Sequence, residues 1–157
     1  MTKRSISFAH VLATTCGSGF FPYAPGTVGS AIALAGLWFI QPVRLYIYIP
    51  FLAILYLIGV WAATQAEKAW GHDAGRINWD EVVGMAITVI ALPKSFITYG
   101  AAFAAFRLFD IWKPFPVDVS QGLRGGWGVM TDDVLAAIYG NAALQVILRI
   151  VNIIPAP

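Results

Sequence analysis

Six carboxylates stand out in this chain: Asp73, Asp80, Glu81, Asp110, Asp132 and Asp133. They account for six of only eight acidic residues, and they sit in short polar segments between long apolar runs. A charge near hydrocarbon is costly unless it is paired or bound to a cation. Acids gathered in so apolar a chain therefore point to a functional site. Several carboxylates with one cysteine and few histidines make a hard-oxygen site, suited to Mg²⁺, Mn²⁺ or Ca²⁺ rather than zinc. Arg107 and Lys113 stand beside the acids. They would work against a simple cation cage but suit an anionic ligand, such as a phosphate held jointly by metal, Arg and Lys. Gly125 and Gly126 would let backbone N–H groups approach phosphate oxygens closely.

Each of these residues also has a plainer reading. Asp80 and Glu81, or Thr131 and Asp132, could sit at helix starts as caps. Arg107 and Asp110 are three apart and could form a helical salt bridge. His72 could be an ordinary polar loop residue, and the glycines could simply turn the chain. The conjunction of all of them favours a site. Three other phosphatase chemistries fail on spacing. Cys16 is followed six residues later by Pro22 rather than Arg, and neither an Asp-x-Asp pair nor a Gly-x-Ser-x-Gly elbow occurs.

The elements that must position these groups are apolar. The 157 residues are 59% hydrophobic and 11% charged, with a mean hydropathy of +0.72; soluble domains carry about 25% charged residues. No charged residue occurs between Leu45 and Ala66, a run of 22, enough for a helix to cross a core of roughly 30 Å. The net charge of +2 and the scattered basic residues give no nucleic-acid signature.

The pattern predicts a loop over Gly17 to Ser30 and a helix to about Ile40, ended by Gln41-Pro42. It predicts a second helix over Leu45 to Ala63 containing Pro50. Two short runs follow, Val82 to Leu92 and Ser95 to Phe106, separated by Pro93-Lys94. A last helix is expected from Val134 to Ile154, with Asn141, Gln145 and Arg149 as a polar seam on one face. The expected architecture is an all-α polytopic membrane bundle of four to five apolar helices, some re-entrant, in a single domain over residues 1–157.

If each apolar run crosses or returns, the acidic segments share one membrane face. Lys3, Arg4, Lys68, Arg76, Arg107, Lys113 and Arg124 lie on that face, against Arg44, Lys94 and Arg149 on the other. That asymmetry predicts a cytoplasmic site. Trp70, Trp79, Trp112 and Trp127 in the same segments suggest headgroup level.

Four motifs carry a family resemblance: GSGFFPYAPGTVGS, HDAGRINWDEVVGM, FRLFDIWKPFP and GGWGVMTDD, in this order from Gly17 to Asp133. Together they resemble the phosphatidylglycerophosphatase A family. The resemblance implies a Mg²⁺-dependent integral membrane enzyme. It would hydrolyse the lipid phosphatidylglycerophosphate to phosphatidylglycerol and inorganic phosphate, at the cytoplasmic face of a bacterial inner membrane.

The second motif supplies His72, Asp73, Asp80 and Glu81, the third Arg107, Asp110 and Lys113, and the fourth Gly125, Gly126, Asp132 and Asp133. On this reading Asp80, Glu81, Asp110, Asp132 and Asp133 supply Mg²⁺ ligands or the base. Arg107 and Lys113 hold the phosphate, and His72 or Asp73 protonates the leaving oxygen. The alternative is a small cation channel or transporter using intramembrane carboxylates. It places acids along a path through the bilayer rather than beside Arg and Lys between the runs. The residues leave the oligomeric state open.

Overall fold

The computed structural model describes residues 7–40 and 43–151. Lys3, Arg4, Gln41-Pro42 and Ile154 therefore lie outside the described residues. Among those described there are seven α-helices and no strand. They are α1 (Phe8–Ala13), α2 (Pro25–Phe39), α3 (Leu45–Trp70), α4 (Trp79–Thr88), α5 (Phe96–Trp112), α6 (Val117–Ser120) and α7 (Gly126–Ile150).

Local chemistry sets several of the ends. Pro25 opens α2 at a position where its missing N–H is no loss. The Ser95 hydroxyl caps α5 by accepting from the Thr98 N–H at 3.1 Å. Gly71, at φ +95°, closes α3.

Five helices are longer at one end than the apolar pattern predicts. α2 begins at Pro25, inside the stretch expected to be a loop up to Ser30. α3 runs on to Trp70 because Ala66 continues its buried stripe while Gln65 and Lys68 face outward. α4 starts at Trp79 and so takes Asp80 and Glu81 into its first turn. α5 continues through Arg107 and Asp110 to Trp112. α7 begins at Gly126, not Val134, so Asp132 and Asp133 lie inside the helix and do not cap it. The glycine-rich stretch reads as a turn in isolation. In the fold it is helical because Gly126 lets α7 meet α3: a Cβ there would lie 2.3 Å from the Val60 carbonyl oxygen.

α7 is the central element, packed by α3, α4 and α5, and α2 lies against α4. Phe106, Met85, Ala102, Ala136, Ala137 and Val117 form the buried core among these helices. α3 and α7 are long and apolar enough to cross a membrane. At 15, 10 and 17 residues, α2, α4 and α5 are shorter than the ~20 residues of a full crossing. The outward faces of α3 and α7 carry exposed Ile47, Ile54, Leu57, Ile147 and Ile150. An apolar face left open in this way suits lipid or a protein partner.

The seam on α7 serves packing. Asn141 Nδ2 donates to the Thr88 and Ile90 carbonyls at 2.8 Å each, and Gln145 Nε2 donates to Ile90 at 3.2 Å. These carbonyls belong to the end of α4, where the helix supplies no further N–H partners. Among the described residues, Arg149 bonds within its own helix, to the Gln145 carbonyl.

Candidate active site

The site forms where the first turn of α4, the last turns of α5 and the second turn of α7 meet. Asp80 and Glu81 follow the N-cap residue Asn78, at the helix end that favours negative charge. Burial fixes their direction: both are buried, as are Asp132 and Asp133. Oxygens of Asp80, Glu81 and Asp133 lie within 4.8 Å of one another. Asp110 lies against Asp133, in the last turn of α5.

Two cations border this cluster. Arg107 Nη1 is 2.7 Å from Asp110 Oδ2 and 3.7 Å from Glu81 Oε1. Neither its Nη1 nor its Nε makes a hydrogen bond, so the close approach to Asp110 is an ion pair without donor alignment. Lys113 Nζ donates to Asp132 Oδ2 at 2.6 Å. Adjacent residues on a helix point about 100° apart. Asp132 therefore meets Lys113 while Asp133 turns toward Asp80 and Glu81.

The electrostatics follow from crowding and burial. Burial, then the charges of Glu81 and Asp133, hold the Asp80 carboxyl well above its ordinary range. Burial likewise pushes Glu81 up. Burial alone would lower the Lys113 ammonium. The hydrogen bond and charge of Asp132, with Asp110 and Asp133, outweigh it and hold Lys113 above the usual lysine value.

The donor set fits a divalent cation. Asp80 Oδ1, Glu81 Oε2 and Asp133 Oδ2 are buried and have no hydrogen-bond partner. Three neighbouring buried carboxylates, each with an unpartnered oxygen, are strongly unfavourable unless a cation or a proton meets them. Hard oxygen donors suit Mg²⁺. Asp110 and Asp132, expected as ligands too, are instead engaged with Arg107 and Lys113.

His72 and Asp73 belong to a second group. His72 Nδ1 lies 2.7 Å from Glu67 Oε1, which also accepts from the Asp73 N–H at 2.9 Å. Gln121 Nε2 donates to Asp73 Oδ2. Asp73 is close enough for its charge to act on Asp132. Gly126 serves helix packing: its N–H is taken by Thr64 Oγ1 at 2.9 Å, and Gly125 faces the same threonine. Their expected role as a phosphate cradle gains no support from this arrangement.

Sequence reasoning missed three residues. Glu67 gives no signal, because it lies in the tail of α3, beyond the acid-rich motifs. Gly26 approaches the site so closely that a Cβ would stand 2.1 Å from Glu81 Oε1. Asn78 is fully buried and donates to Ser18 Oγ and the Pro25 carbonyl, tying the first motif to α4. Both Gly26 and Asn78 fall inside the recognised motifs, which was the available signal.

The site is set into the bundle. Trp79 Nε1 donates to the Leu55 carbonyl at 3.2 Å, and Tyr56 Oη lies 2.7 Å from Thr131 Oγ1. Both contacts fall about halfway along α3.

A family model described as phosphatidylglycerophosphatase A matches residues 11–148. The chain belongs to the phosphatidylglycerophosphatase A family. It is similar to the phosphatidylglycerophosphatase A of Escherichia coli, 40% identical over 144 residues that cover 88% of this chain and 82% of that protein. The Haemophilus influenzae protein of the same name is 43% identical over 134 residues, covering 83% and 82%. A Bacteroides thetaiotaomicron protein provisionally named phosphatidylinositol-3-phosphatase is 41% identical over 157 residues, covering 92% and 96%. No solved structure matches the chain. The family is one of phosphatases, and the four motifs that carry the resemblance are the segments that build and border the acid cluster.

Proposed function

We propose that this protein hydrolyses the terminal phosphomonoester of phosphatidylglycerophosphate, releasing inorganic phosphate and phosphatidylglycerol. The reaction depends on Mg²⁺ and takes place at the cytoplasmic face of a bacterial inner membrane. One observation carries the reading: orphaned buried acceptors on Asp80, Glu81 and Asp133 stand beside Arg107, whose Nε has no partner and whose Nη1 pairs with Asp110 without a hydrogen bond. That combination suits a metal and a phosphate together and suits neither alone. Relatives at about 40% identity named for this lipid support the substrate. The Bacteroides relative is named for a different lipid phosphate, which supports the chemistry more broadly than the headgroup.

Asp80, Glu81 and Asp133 would hold the Mg²⁺. When bound, the ion supplies Lewis-acid polarisation of the phosphoryl oxygens. Arg107 and Lys113 bind the phosphate dianion and stabilise charge as it develops on the transferred group. Asp110 and Asp132 hold these two cations in place. A water attacks phosphorus while the bond to the glycerol oxygen breaks. A carboxylate of the cluster takes the water's proton, and the glycerol oxygen leaves with a proton from a general acid. His72 is the candidate for that acid, and Glu67 fixes its Nδ1 side.

The channel or transporter alternative is disfavoured, because Arg107 and Lys113 border the acid cluster and pair with Asp110 and Asp132. The test is phosphate release from the lipid by purified protein with Mg²⁺ or EDTA. Release that requires Mg²⁺ is expected. No release under either condition, with cation flux in proteoliposomes, overturns the reading.

A further inference from the structure

An apolar groove of about 540 Å³ runs along the α2–α5 pair, within the ~300–1,000 Å³ typical of small-molecule sites. Ala31 and Ala35 of α2 and Gly100 of α5 leave it open, and Leu34, Trp38 and Phe103 flank it. Gly100 is exposed, and a Cβ added there would meet nothing within 4 Å.

The two helices run antiparallel, which fixes what lies at each end. Trp38 stacks on Phe96 at one end, with ring centroids 4.3 Å apart. At the other, a Cβ on Gly26 would lie 3.4 Å from Arg107 Nη1. Phe103 and Gly100 precede Arg107 by four and seven residues, so all three share one helix face. The lining extends from Phe96 to Phe103 and from Ala31 to Phe39, about 10–12 Å at the helical rise. One leaflet of hydrocarbon is about 15 Å deep. The groove is thus apolar over most of a leaflet's depth, and beyond one end lie Arg107 and the acids paired with it, Glu81 and Asp110. An apolar trough that ends at an arginine and an acid cluster suited to a metal matches the chain and the phosphate of a phospholipid.

We propose that this groove seats one acyl chain of the phospholipid substrate while its terminal phosphate reaches Arg107. The proposal rests on the lipid phosphatase reading above. The headgroup bridges the turn between Arg107 and Phe103, and the chain continues toward Phe96. Surrounding lipid is as apolar as the groove, so the groove adds no hydrophobic driving force. It acts by holding one chain in register with the site.

Gly100→Leu and Ala35→Leu fill the groove without touching the acid cluster, and Leu is a better helix former than Gly. The probes are dioleoyl phosphatidylglycerophosphate in mixed micelles and a dibutanoyl analogue whose chains stop short of Gly100. With the dioleoyl lipid, kcat/KM should fall about tenfold in each variant, mainly through KM. With the dibutanoyl analogue it should stay within about twofold. Unchanged dioleoyl kinetics in both variants overturn the proposal and leave the groove to bulk lipid. Equal losses on both substrates overturn it too, since the substitution then disturbs the site itself. A changed oligomeric state with no chain-length effect assigns the groove to a second copy. A wild-type protein that hydrolyses neither substrate refutes the phosphatase reading instead.

Discussion

Gly26 of α2 faces Glu81 of α4 with no room between them: a Cβ on Gly26 would stand 2.1 Å from Glu81 Oε1 and 3.4 Å from Arg107 Nη1. The atom in the way is the end of a flexible side chain, so the fold can absorb Gly26→Ala by moving the carboxylate. The site cannot, because Glu81 would leave its position beside Asp80 and Asp133. We expect Gly26→Ala to retain expression and thermal stability while phosphate release falls by about 10²-fold. Stability and activity measured on the same preparation check this. Normal activity contradicts the close approach.

The acid cluster should be intolerant of charge removal. Asp80→Asn, Asp110→Asn and Asp133→Asn should each lower turnover by about 10²-fold or more while the protein still inserts. Asp110→Asn has the added consequence of leaving Arg107 without its nearest anion. Near-normal turnover in all three would remove the cluster from the mechanism.

Metal dependence should itself depend on pH. Asp80 is held well above its ordinary 3.8 by burial and by Glu81 and Asp133. A carboxyl whose pKa is raised on folding contributes stability that is complete below the unfolded value and is lost as pH rises through the folded one. The metal-free protein should therefore weaken as pH rises above about 4. Mg²⁺ should restore more stability at about pH 8 than at about pH 5. Thermal unfolding in detergent, with EDTA and with Mg²⁺ at each pH, gives the comparison. Equal Mg²⁺ shifts at both values contradict it.

Stability and catalysis should separate on α7. Asn141→Leu leaves the Thr88 and Ile90 carbonyls without their 2.8 Å donor. A loss of about 1–3 kcal/mol is expected, with KM unchanged because these carbonyls lie at the far end of α4 from the acids. Denaturant unfolding with parallel kinetics checks both halves. A raised KM with unchanged stability would reverse the assignment.

Much of the molecule was legible in its sequence. The apolar runs, the all-helical class and the six conspicuous acids follow from composition and spacing, because helices long and apolar enough to cross a membrane leave a strong compositional mark. The four motifs also marked the segments that build the site, and Asn141 and Gln145 read correctly as packing groups. Helix boundaries were less legible. α7 starts eight residues before the predicted Val134, because Gly126 is needed for contact with α3, and no local pattern reveals that need.

By itself, then, the sequence determined which carboxylates this protein keeps and that they require partners, since an unpaired charge is unfavourable in so apolar a chain. Only the tertiary structure decided which partner each acquired. It divided the acids into an orphaned trio of Asp80, Glu81 and Asp133, two cation-holding carboxylates at Asp110 and Asp132, and Asp73 apart with His72, Glu67 and Gln121. The physical reason is directional. Neighbours such as Asp132 and Asp133 are nearly identical in sequence context, but a helix turns them about 100° apart, and only the packing of α4 and α5 against α7 says what each one faces.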